Sequence, residues 1–185
     1  IAGDDPMLLA DIDPEKVSRA NKANAIAYKP ARERITEFKI NWNIISWPGK
    51  AWSKRVFPDV SEQEAIKKLA DAIFHASRVL SDDPVAEWDT HNKNLRQKTD
   101  WLNSMNFSSL VYTGPGTNLE VGLADDHEWM GGASKSQNGI VCNPNIPSEE
   151  VFTTPHALKV NGKVCSTKPL SYQGTLIQDI QVEFK

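Results

Sequence analysis

The spacing of apolar positions is mostly helical up to Asn106, with one strand-like stretch, and alternating from Phe107 onward. In "DIDPEKVSRANKANAIAYK" Asp13 stands at an N-cap position, Pro14 at the first helical position and Glu15 in the first turn. Val17, Ala20, Asn24 and Ala27 form its weakly apolar face, which predicts a helix of modest burial. "INWNIISWPG", rich in Ile and Trp and closed by Pro48-Gly49, predicts a strand. In "VSEQEAIKKLADAIFHASRVL" Ser61 and Glu64 form a capping box, and Ile66, Leu69, Ile73 and Leu80 repeat at helical spacing. A further helix in "DPVAEWDTHNKNLRQKTDWLNSMN" starts at Asp83-Pro84 and carries Val85, Trp88, Leu95 and Leu102. The short connection between these two helices predicts an antiparallel pair.

Beyond Phe107 the pattern has period 2. "SLVYT" leads through the turn "GPG" into "TNLEVGL", where Leu119, Val121 and Leu123 share a face. Asn161-Gly162, between the alternating halves of "HALKVNGKVCST", predicts a type I′ hairpin. "TLIQDIQVEFK" reads as one strand with Leu176, Ile180, Val182 and Phe184 on one side. There is no internal repeat and no low-complexity stretch. The expected architecture is α+β: a helix-rich segment with one short strand over 1–106, then a mostly antiparallel β-rich segment over 107–185.

Composition narrows the function classes. With 39% hydrophobic and 24% charged residues among 185, the chain reads as soluble and globular. A net charge of -3 offers no basic footprint, so no nucleic-acid partner is expected. No apolar run approaches the ~18 residues of a membrane span, so no membrane partner is expected either. Two cysteines, Cys142 and Cys165, are too few for a disulfide scaffold. They read as cytoplasmic free thiols, with a single bridge between them left open. An opening "IAGDDP" without initiator Met and a closing strand at Lys185 lead to the expectation that the chain is a fragment of a longer protein.

Catalytic patterns are sparse. None of His75, His91, His127 and His156 has zinc-type ligand spacing. His91, on the Trp88/Leu95 stripe, is expected half-buried and hydrogen-bonded, and His75, off its stripe, solvated. His127 lies beside Asp125, Asp126 and Glu128, a cluster that could hold a cation, though an acidic turn is the commoner arrangement. There is no G-x-S-x-G elbow, and no histidine is placed to activate either cysteine. "TGPGT" and "MGG" precede no helix start and read as turns rather than phosphate cradles. Trp42, Trp47 and Trp52 suit a binding groove or, more commonly, an aromatic core. In "NPNIPSEEVFTTPH" the adjacent Glu149 and Glu150 cannot both enter one pocket if the segment is extended, because successive side chains alternate in direction. On these residues alone the pair is either a polar turn or half of a metal site.

Three stretches carry a resemblance: "SWPGKAWSKRVFPDVSEQEAIKKLADAIFHASRV", "DWLNSMNFSSLVYTGPGTNLEVGL" and "NPNIPSEEVFTTPHALKVNGKVCSTKPLSYQGTLI". Together they resemble the thermophilic-type metalloaminopeptidases, the aminopeptidase T/aminopeptidase S/PepS family, along essentially the whole chain. The resemblance implies a parent about twice this length, larger and two-domain. It would be a homodimer that removes N-terminal residues from peptide substrates with two divalent metal ions, zinc or cobalt, held by Glu, His and Asp. In such a centre the metals lower the pKa of a bound water and polarise the scissile carbonyl. The glutamate just before Val-Phe-Thr, here Glu150, matches a metal-binding position of the family. Glu149 and His156 match none, and the other ligands are expected beyond Lys185. On this reading the isolated chain is inactive. The alternative is a non-catalytic peptide-binding or interaction module on the same scaffold.

Overall fold

The computed structural model describes residues 5–172 and 175–185. Among these residues four helices precede most of the strands: α1 Pro14–Thr36, α2 Lys50–Val56, α3 Glu62–Ala76 and α4 Pro84–Met105, with the two-residue strand β1 Ile44–Ile45 between the first two. The strands β2 Ser109–Gly114, β3 Thr117–Leu123, β4 Met130–Gly131, β5 Ser134–Lys135, β6 Val141–Cys142 and β7 Asn145–Ile146 follow. The last are β8 Val151–Phe152, β9 Pro155–Cys165, β10 Leu170–Tyr172, β11 Thr175–Ile177 and β12 Gln181–Phe184. This is the expected α+β order. By contacts the chain groups into two units, one of residues 1–89, 133–148 and 171–176, the other of residues 90–132, 149–170 and 177–185.

In the first unit the helix starts follow the sequence closely. Asp13 Oδ1 accepts the Glu15 amide at 2.8 Å ahead of Pro14, and Ser61 Oγ accepts the Glu64 amide at 3.2 Å. α3 stops at Ala76, four residues short of the expected Leu80, because Ser77 caps it and Arg78 turns left-handed at φ 61°. α2 was not foreseen. Gly49, expected to close a long strand, instead caps this helix, and the strand shrinks to Ile44–Ile45, paired in parallel with β7. α2 packs on α3. Fully buried Ser53 returns its hydroxyl to Gly49 O at 2.7 Å, and Lys54 Nζ donates to Pro58 O and Val60 O beneath the connection. The indole of Trp88 donates to Ser77 O at 2.9 Å, joining the start of α4 to the end of α3.

The second unit is built on an antiparallel four-stranded sheet in the order β12-β9-β3-β2. Its registers, Tyr112↔Leu119↔Gly162↔Phe184 and Leu110↔Val121↔Val160, put these mostly apolar residues on one face. Val111, Glu120, Asn161, Lys163 and Glu183 lie on the other. Pro115 followed by Gly116 at φ 71° closes the β2–β3 hairpin, the type II order.

Three expectations are corrected here. Asn161-Gly162 is not a hairpin, because β9 runs straight through it for 11 residues. Gly162 alone has positive φ, 111°, whereas a type I′ turn needs two such residues. Gly162 serves close approach instead: a Cβ there would stand 2.2 Å from Asn118 O on β3. The "TLIQDIQVEFK" strand is broken into β11 and β12 by Asp179 at φ 52°. In "MGG", Met130-Gly131 is a strand and only Gly132 turns left-handed, at φ 67°.

Candidate metal-ligand site at Glu150

The segment carrying Glu150 enters β8, whose two residues pair antiparallel with β4 as Met130↔Phe152 and Gly131↔Val151. The pairing is close. A Cβ on Gly131 would stand 2.8 Å from the Glu150 carbonyl oxygen and 3.0 Å from Val151 Cγ1, so glycine lets the two backbones meet. Thr153 Oγ1 donates to Glu128 O at 2.8 Å and fastens the far end of the same ribbon.

α4 fastens the ribbon from below. Asn103 makes a two-bond clamp on the Trp129 backbone, its Oδ1 accepting the Trp129 amide at 2.7 Å and its Nδ2 donating to Trp129 O at 3.1 Å. Leu95, 2% exposed, underlies Gly132, where an added Cβ would be 3.2 Å from Leu95 Cδ1. His91 Nε2 lies 3.6 Å from Glu149 Oε2. The helix contacts this segment through Asn103, Leu95 and His91, residues on one side at spacings of eight and four. Val85, expected on the apolar stripe, is 72% exposed.

The two glutamates therefore differ. Glu149 meets a histidine whose side chain is 14% exposed, as expected for a half-buried His91. Glu150 is exposed and, among the described residues, its carboxylate has no protein partner. Both glutamates are exposed, and beyond them Val151 is partly covered and Phe152 outward. An exposed carboxylate held on a fixed backbone fits a single ligand position for a divalent ion such as zinc. Among the described residues no group of three or more His, Cys, Asp or Glu converges as a complete site.

The other candidates find structural employment. His127 Nδ1 donates to Ala124 O at 2.9 Å, Asp125 Oδ1 lies 3.3 Å from Lys159 Nζ, and Asp126 turns at φ 57°, so that the acidic stretch is a turn. His156 Nδ1 accepts the Leu158 amide at 3.1 Å, and His75 is exposed, as expected, beside a surface cavity of about 170 Å³. Cys142 and Cys165 are free thiols, the latter donating to Gly116 O at 3.1 Å. No helix among the described residues is long and apolar enough to cross a membrane. The sequence reading missed Asn103. The only signal for it was a polar residue four places beyond Thr99 and eight beyond Leu95, both buried.

Comparison with known proteins places the chain in a family. The model of the thermophilic metalloprotease (M29) family matches residues 1–185. Aminopeptidase T of Thermus thermophilus is 48% identical over the whole chain, and aminopeptidase 2 of Geobacillus stearothermophilus is 46% identical over 97% of it. The chain spans 45% and 44% of the lengths of these relatives, less than half of either. The solved structure of wild-type AmpT from Thermus thermophilus superposes on all of this chain with a TM-score of 0.89 at 47% identity, using 45% of that protein. On these matches the chain belongs to the thermophilic metalloprotease (M29) family.

Proposed function

We propose that the polypeptide of which this chain forms a part is a metal-dependent aminopeptidase that hydrolyses N-terminal residues from peptides. The observation that carries the reading is the match of a metalloprotease family model along residues 1–185, beside similar proteins that are named aminopeptidases. Two divalent ions, zinc or cobalt, serve as its cofactors. Glu150 contributes one ligand, and the segment 107–185 forms the start of the metal-binding region. The exposed carboxylate of Glu150, without a protein partner among the described residues, supports that role, and the contact of Glu149 with His91 supports leaving Glu149 out. The remaining ligands are supplied by polypeptide outside this chain, and the full protein works as a cytoplasmic homodimer.

The test compares the 185-residue chain with the full-length polypeptide, each supplied with zinc or cobalt, on peptide and aminoacyl-anilide substrates. Chelator-sensitive release of amino acids by the full-length polypeptide alone is the expected outcome. Robust metal-dependent turnover by the 185-residue chain would overturn the division of ligands, and no release by either would overturn the activity.

A further inference from the structure

We infer that α4 sets where Glu150 stands, with Asn103 as its principal positioning residue; the inference rests on the proposed role of Glu150 as a metal ligand. β4 and β8 are two residues long and cannot hold their own geometry, since an isolated two-stranded ribbon is marginal even when longer. Something rigid must fix them if a carboxylate at their edge is to meet a metal within a few tenths of an ångström. α4 is that element.

The contact pattern shows how. Asn103 holds Trp129 and Leu95 underlies Gly132. Eight helical residues span about 12 Å along the axis, and three extended residues span about 10 Å. The lengths agree, so the 129–132 segment runs antiparallel along the helix. One helical turn further toward the N-terminus of α4, His91 reaches Glu149. The helix thus touches the residues that flank β4 on either side and the approach to β8. Gly131 lets the backbone of Glu150 rest directly on β4, and Asn103 clamps the residue just before that strand. Asn103 is suited to this because its amide presents a donor and an acceptor side by side, matching the N–H and C=O of one residue. His91 is a second, weaker tie, at 3.6 Å and on a largely exposed partner.

The experiment uses the full-length polypeptide and four forms: wild type, Asn103→Ala, Asn103→Asp and Glu150→Ala. Asn103→Asp keeps the acceptor for the Trp129 amide but lacks the donor to its carbonyl. Three readouts are taken at matched folded fraction: visible absorption during titration with Co2+, amide hydrogen exchange of segment 129–131 without metal, and kcat and KM separately. Partners of metal ligands are commonly worth about 10- to 100-fold in metal affinity or activity. Asn103→Ala is therefore expected to weaken cobalt binding about tenfold or more, shift the cobalt bands and speed exchange at 129–131. It should lower kcat about tenfold with KM changed less than about twofold, and Asn103→Asp should fall between it and wild type. An unchanged cobalt spectrum and affinity in Asn103→Ala, with binding abolished in Glu150→Ala, would overturn the positioning role alone. If Asn103→Ala does not fold, Asn103→Asp decides by the same criterion. If Glu150→Ala binds cobalt as wild type does, the ligand assignment itself falls and this inference falls with it.

Discussion

α1 and α4 are nearly the same length, 23 and 22 residues, and neither carries a strong apolar stripe, yet they do different work. α1 buries one residue, Val17, and its remaining length is exposed or half-exposed. α4 buries Leu95 and Thr99 and places His91 and Asn103 against a ribbon that lies 26 to 58 residues further on. The difference lies in the polar residues rather than in the amount of apolar surface. A helix with few buried apolar groups can still be a fixed support when its amides and imidazoles meet backbone and carboxylate partners, because each such bond also fixes a direction.

Substitutions should separate the two helices by size of effect. The largest loss of stability is expected at Leu95→Ala, at about 3 kcal/mol, since a fully buried leucine leaves a cavity beneath Gly132. Asp13→Ala, which removes the N-cap of α1, should cost about 1 kcal/mol. Urea midpoints of the full-length polypeptide measure both. If the α1 substitution proves as costly as the one in α4, the contrast between a loosely and a firmly held helix fails.

Helix starts were legible because a cap needs only residues that are local in sequence, as at Asp13-Pro14 and at Ser61 with Glu64. The faces of β2 and β3 were legible for the same reason, since alternation is local. What failed were signals whose meaning depends on a distant partner. Asn161-Gly162 reads equally well as a tight turn or as a strand glycine making room for Asn118 O, and only the neighbouring strand β3 decides. α2 has seven residues, too few for a helical period to stand out beside Pro48-Gly49. At the candidate site, alternation separated Glu149 from Glu150, and family resemblance chose between them. Neither could show that His91, 58 positions away, meets Glu149, nor that Asn103 clamps Trp129, just ahead of the strand on which Glu150 rests.

The central claim is that one of two adjacent carboxylates binds metal. Its most direct test is bound metal per chain, with the aminopeptidase rate alongside, in Glu150→Ala and Glu149→Ala forms of the full-length polypeptide at matched folded fraction. Glu150→Ala should lose metal and fall in rate by at least about 100-fold, as expected on removing a ligand whose charge offsets the cations. Glu149→Ala loses the contact to His91 and should keep its metal, with a rate within several-fold of wild type. A metal-free Glu149→Ala beside a healthy Glu150→Ala would place the ligand one residue earlier and contradict the account.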